Sequence, residues 1–141
     1  MDTYTLQNDI KTFGLRVKTF PAGVSEAFDE LVKLFPAGEP RSYFGVGEFG
    51  KDGSILYYAL AEEKFDGEGK KYAYPVKIID KGNYLVEAVH DWTTKTDCIK
   101  DVFAGMMTDK RMAKGKPCVE WYKTMEEMWC MVPMVSEPSS Y

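Results

Sequence analysis

The sequence predicts an α+β fold of two β-α-β-β modules in pseudo-two-fold duplication, with antiparallel sheets, two main helices and a ligand crevice between the modules. Three observations predict it. Apolar residues recur with a period of 3.6 near residues 24–35 and 95–107, and with a period of 2 in the stretches around them. The order strand, helix, strand, strand then occurs twice along the chain. Finally, 141 residues is a length typical of one domain.

The elements follow in order. From Thr12 to Phe20, Phe13, Leu15 and Val17 alternate with Gly14, Arg16 and Lys18, as on a half-buried strand. Pro21-Ala22-Gly23 breaks that pattern. Val24, Ala27, Phe28, Leu31, Val32 and Phe35 then share a helical face. Ser25 or a neighbour is placed to cap this helix, and Pro36 and Gly38 end it. Arg41–Phe49 and Ser54–Glu63 read as a hairpin around Gly50-Lys51-Asp52-Gly53. Lys64–Lys71 reads as a loop, Tyr72–Ile79 as extended, and Asp80-Lys81-Gly82-Asn83 as a turn.

The second round begins with a strand over Tyr84–His90. Thr94 or Thr96 is placed to cap a helix carrying Ile99, Val102, Phe103 and Met106 on one face. Lys114-Gly115-Lys116-Pro117 interrupts the chain. Cys118–Lys123 and Met128–Met134 form a last hairpin with its turn at Glu126-Glu127. The domain thus runs over residues 10–135, between an N-terminal extension (1–9) and a polar tail (136–141).

Composition narrows the function classes. Apolar residues make up 45% and charged residues 28%, which suits a globular core and not disorder. The net charge of −4, with no basic run longer than two residues, disfavours direct nucleic-acid binding. No secretory leader and no membrane-spanning apolar run is read. Three cysteines, Cys98, Cys118 and Cys130, then predict reduced thiols and a cytoplasmic location. A turn near Glu126 sets Cys118 against residues beyond Pro133 and away from Cys130, so no disulfide is expected between them. His90 is the only histidine, and no Cys-x-x-Cys or His pair exists, so no metal and no cofactor are expected. Haem ligation or a Ser-His-Asp triad would also have to rest on His90, and Gly-x-Ser-x-Gly is missing.

Several local motifs carry a family resemblance. They are Tyr43-Phe44-Gly45-Val46, Ile79-Asp80-Lys81-Gly82-Asn83-Tyr84, Val119-Glu120-Trp121-Tyr122 and Val132-Pro133-Met134. In this order the chain resembles the GyrI-like family and the effector-binding domains appended to some bacterial transcription regulators, over roughly residues 10–134. The resemblance implies a stand-alone module that holds aromatic or cationic lipophilic small molecules between its two halves. It implies that Glu120, at the family's Glu-x-Tyr position, faces the ligand together with Tyr122. Two rivals come with it. One is a hydrolase of reactive electrophilic small molecules in which Glu120 activates water; the other is a protein-interaction inhibitor or regulator subunit. No helix-turn-helix precedes the first strand, so a transcriptional role would need a protein partner.

The residues themselves support a site. A carboxylate in an apolar strand is costly unless a partner or ligand compensates it, and burial raises its pKa. Tyr122 lies two residues on and shares Glu120's face. The chain holds 9 Tyr, 8 Phe and 3 Trp, more aromatic surface than a core of this size needs, and aromatic faces attract organic cations. Tyr43, Tyr57, Tyr58, Trp92 and Trp129 are candidate pocket walls, with Phe103 from the second helix. Met106, Met107, Met128, Met131 and Met134 are candidates for an adaptable lining. Gly45 and Gly47 sit inside a strand pattern, where glycine permits close approach of another group.

Overall fold

The structure, a computed structural model, describes residues 2–18, 22–49, 55–92, 96–113, 115–124 and 126–135; of residues 49, 96–98 and 100 it describes the main chain alone. Eight strands and three helices follow one another. They are β1 (Asp2–Leu6), β2 (Ile10–Val17), α1 (Val24–Val32), β3 (Tyr43–Phe49), β4 (Ile55–Glu62), α2 (Glu68–Lys71), β5 (Val76–Ile79), β6 (Gly82–His90), α3 (Thr96–Met106), β7 (Cys118–Tyr122) and β8 (Glu127–Pro133). The α+β class and both main helices stand where the periodicity places them.

The strands form one antiparallel sheet in the order β1-β6-β8-β7-β3-β4-β2-β5. The expected pair of sheets is therefore continuous. It joins where β3 pairs with β7, from Tyr43 opposite Tyr122 to Gly47 opposite Cys118. This junction satisfies main-chain groups that two separate sheets would leave as open edges.

Four local readings are corrected. Residues 2–6, read as an extension, form β1 and pair with β6 from Asp2–Val86 to Leu6–Gly82. Gly23, not Ser25, caps α1; its φ of 85° suits glycine, and no side chain bonds the helix end. The loop before β5 contains the single turn α2, entered through Gly67 at φ 87°. The β7–β8 register is centred one residue earlier than expected: Glu120 opposes Cys130 and Val119 opposes Met131, which sets Cys118 opposite the Val132 position. The predicted turn at residues 50–53 and the Thr94 cap lie outside the described residues.

Alternation along the strands distributes side chains to two faces. On one face α1 packs through Ala27 and Leu31 against Val17, Tyr57 and Ala59, while Ile99 and Met106 of α3 cover Leu85, Met128, Cys130 and Val132. Leu31 is fully buried, so Leu31→Ala would cost about 2–5 kcal/mol. The other face gathers Leu6, Phe44, Val46, Leu60, Ile79, Tyr84, Val86, Val119 and Met131 into a second core. Cys118 and Cys130 carry free thiols within the helix-side core. The Cys98 side chain lies outside the described residues.

One buried charge is structural. Arg41 donates to both carboxylate oxygens of Glu68 (2.7 and 2.8 Å), to Glu39 (2.6 Å) and to the Glu62 carbonyl (2.7 Å), and its guanidinium lies 3.6 Å from the Phe35 ring centre. Glu68 also accepts the Lys64 amide at 2.9 Å. Every charge in this cluster has partners, as a buried ion pair requires. It ties α2 and the approach to β3 onto the sheet. Among the described residues, no helix is long and apolar enough to cross a membrane.

Candidate functional site

Glu120 sits on β7, beside the central β3–β7 junction, and faces the helices. Its cross-strand neighbours on that face are Gly45 of β3 and Cys130 of β8. Glycine at 45 leaves the space that two side chains then fill. A Cβ there would lie only 2.7 Å from Tyr57 Cζ and would also strike the Tyr57 hydroxyl and Glu120 Oε1. The sequence expectation of close approach at a strand glycine is met by side chains of the protein itself.

Two tyrosine hydroxyls converge on the same carboxylate oxygen. Tyr57, from β4, donates a hydrogen bond to Glu120 Oε1, and Tyr122 donates to the same atom at 2.7 Å. The two hydroxyls are 3.4 Å apart. Glu120 Oε2 has no hydrogen-bond partner among the described residues, and it is not sealed from solvent, because no buried side-chain oxygen there lacks a partner. No described lysine or arginine pairs with Glu120, in contrast to the fully compensated Arg41–Glu68 cluster.

Burial dominates the electrostatics. It pushes the Glu120 carboxyl above the ordinary carboxylate range, while the two donated hydrogen bonds pull it back part of the way. Burial also pushes Tyr57 and Tyr122 well above the ordinary tyrosine range, and the nearby Glu120 charge adds to this. Both hydroxyls therefore keep their protons as donors. Burial and Glu120 together push the Cys118 and Cys130 thiols up to about 12.

Aromatic rings surround this cluster. Phe28 of α1 meets Tyr122 edge-on at 5.2 Å between ring centres, and Trp92 meets it at 5.0 Å. Tyr43 opposes Tyr122 across the β3–β7 pair and packs on the α1 side, and Phe103 packs on the α3-side core that Trp92 and Tyr122 also border. The structure therefore brings Glu120, Tyr122, Tyr43 and Trp92 together, with Phe103 on the adjoining α3-side core. Tyr58, Trp129 and Met131 lie on the opposite face, in the core with Phe44 and Val119. Of the neighbouring tyrosines on β4, Tyr57 turns to Glu120 and Tyr58 turns away. Phe28 was read only as part of a helical core stripe, and nothing in that spacing singles it out.

A cavity of about 440 Å³ opens elsewhere, with Val46, Val119, Lys77 and Tyr84 among its walls. Glu120 is not one of them. The cavity's Lys77 is paired with Glu48 at 2.8 Å, while Asp80, Lys81 and Lys116, also in its lining, form no ion pair among the described residues. No group of three or more His, Cys, Asp or Glu placed to hold a metal occurs among the described residues.

No known family model and no curated protein sequence matches the chain. Solved structures do. An integron cassette protein from the mobile metagenome of Vibrio cholerae superposes with a TM-score of 0.69 at 9% identity, covering 94% of both chains. SAV2435, solved bound to tetraphenylphosphonium, gives 0.63 at 14% identity, covering 93% of this chain and 92% of its own. A protein named for bacterial transcription regulation, from Staphylococcus aureus MU50, gives 0.60 at 14% identity, covering 94% and 97%. At these identities the likeness is one of fold: the chain shares nearly its whole architecture with proteins of which one has been solved holding a lipophilic organic cation.

Proposed function

We propose that this chain is a small-molecule-binding module of the effector-binding type, and that lipophilic organic cations are its ligands, with Glu120 as their counter-charge. One observation carries the reading: a half-buried carboxylate among aromatic rings, oriented by two tyrosine hydroxyls, with its second oxygen unpartnered. Such a group is unfavourable to the fold until a cation compensates it. Tyr43, Phe28, Trp92 and Phe103 are the walls, and a ligand reaches Glu120 by parting the rings that pack on Tyr122. The strand order, β6-β8-β7 on one side of the centre and β3-β4-β2 on the other, supports a pseudo-two-fold relation between the halves. The ligand then sits at their junction. An acidic chain leaves DNA out of the reading, so any transcriptional role runs through a protein partner.

The unpartnered Oε2 also favours a second reading, in which Glu120 takes a proton from water attacking an electrophilic ligand. One substitution separates the two. Calorimetric titration with tetraphenylphosphonium should show Glu120→Gln binding about thirty- to a hundredfold more weakly, roughly 2–3 kcal/mol, because the shape survives and the charge is lost. A neutral triphenyl analogue should bind both proteins alike. Equal affinity of the cation for both proteins would remove Glu120 from its assigned role. In the second reading the Gln variant keeps its affinity for an electrophilic substrate and loses turnover.

A further inference from the structure

The opposite face of the same strand carries a second constellation that the Glu120 site does not use. Trp121, Trp129 and Tyr4 stand as three walls of a corner. Trp121 and Trp129 have ring centres 5.8 Å apart and planes at 71°. Tyr4 meets Trp129 at 5.3 Å and 70°, and Trp121 at 6.1 Å and 72°. The three rings lie nearly perpendicular to one another: the two indoles face a single point, and Tyr4 packs against both. The corner already holds a cation: the Lys123 ammonium lies 3.6 Å from the Trp121 ring centre and 4.2 Å from that of Trp129.

A carboxylate closes the corner. Trp129 Nε1 donates to Glu127 Oε2 at 2.7 Å, which fixes the indole, and Glu127 Oε1 lies 3.7 Å from His90 Nδ1. Lys123 forms no ion pair within 4 Å among the described residues, so its charge rests on the rings and on the field of Glu127. Contact with the rings desolvates the ammonium and pulls Lys123 below the ordinary lysine range. The main chain beside it is pinned. Thr124 Oγ1 accepts the amides of Glu126 (3.0 Å) and Glu127 (2.9 Å), and the Thr124 carbonyl accepts Trp92 Nε1 (3.0 Å).

We infer that Tyr4, Trp121 and Trp129, closed by Glu127, form a second cation site on the face turned away from α1 and α3, suited to a small quaternary ammonium group and occupied by Lys123 in its absence. The chemistry favours that class over a primary ammonium. A lysine head has three N–H donors, and over aromatic faces those donors find no acceptor. A quaternary ammonium has none to lose and is attracted by the same ring faces. Lys123 is a tethered competitor, so the affinity of the site is reduced by the fraction of time Lys123 fills it.

The test uses the whole chain and choline chloride, with the indole N–H resonances of Trp121 and Trp129 followed by NMR. Both are expected to move saturably. Lys123→Ala should tighten binding about five- to tenfold by removing the competitor. The neutral carbon isostere of choline should leave the resonances in place, and Glu120→Gln should bind choline as the wild type does. Resonances that stay fixed in both wild type and Lys123→Ala would overturn the site. So would an unchanged affinity in Lys123→Ala, an equal response to the neutral isostere, or loss of the response in Glu120→Gln, which would assign choline to the other face.

Discussion

On β7, Glu120 and Tyr122 face the helices, while Trp121 and the Lys123 that follows it face the other way. Both faces pair one charge with aromatic rings, but they complete the arrangement differently. On the helix side the charge is an anion held by two tyrosine donors, and no described cation reaches it. On the far side the aromatic corner already carries the protein's own ammonium. The difference lies in what each face has to accept. The half-buried carboxylate has no counter-ion among the described residues, whereas the aromatic corner, half-buried as well, already holds a cation.

The contrast can be broken most forcefully at Gly45. Gly45→Ala drives a methyl group into the Tyr57 hydroxyl and the Glu120 carboxylate, and should cost about 1–3 kcal/mol by overpacking. Gly47→Ala lies on the same strand face, where the nearest atom is Ile55 Cγ2 at 3.9 Å. It should be neutral or stabilising by up to about 1 kcal/mol, since alanine suits a strand better than glycine. Denaturant unfolding of the two variants checks this. Equal stabilities would mean that Tyr57 and Glu120 are not packed as tightly as the geometry requires.

The next effect is in pH. Glu120 has a raised folded-state pKa. Between its ordinary value and the raised one, the folded chain keeps a proton that the unfolded chain has released. Stability therefore falls as pH rises through that window and levels off above it. Glu120→Gln lacks this loss, so its melting temperature should exceed the wild type's increasingly with pH across the window and by a constant amount beyond it. Tetraphenylphosphonium affinity should move the opposite way in the wild type, rising with pH as the carboxylate ionises. A flat affinity profile would mean that the bound cation does not use the Glu120 charge.

Tyr57→Phe and Tyr122→Phe sharpen the same measurement. Each removes a hydrogen bond that holds the Glu120 pKa down, so each should move the affinity profile to higher pH. Tyr57 has the larger hold on the carboxyl, so Tyr57→Phe should move the profile further. A smaller effect is expected on the other face. Lys123→Ala should lower stability by only about 0.5–1 kcal/mol, the range for an exposed cation–π contact, read by thermal unfolding.

The physical reasons for what the sequence revealed differ from strand to strand. Period alone separates helix from strand, so α1 and α3 were legible from their apolar spacing, and so was β2, where Phe13, Leu15 and Val17 alternate with Gly14 and Arg16. β4 is different: Tyr57, Ala59 and Ala61 on one face and Tyr58 and Leu60 on the other are all apolar or aromatic. A strand covered on both sides has no polar face to mark which tyrosine meets the site. Trp129 and Met131 on β8 fall on the far face for the same reason: Met128, Cys130 and Val132, which alternate with them, are apolar and buried too. β1 escaped notice because Asp2–Leu6 is a short, mostly exposed edge strand that draws its order from β6.

By itself the sequence determined the class of each main element, and that Glu120 and Tyr122 project to one side of a strand while Trp121 projects to the other. That much follows from the two-residue repeat, which is local. Only the tertiary structure decided which side meets the helices and which partners arrive from other strands. Tyr57 reaches Glu120 across 63 residues of chain, and Tyr4 reaches Trp121 and Trp129 from a strand at the start of the protein. Cross-strand partnership depends on register and strand order, which are set by how the whole sheet closes over its two cores and not by any pattern within a single segment.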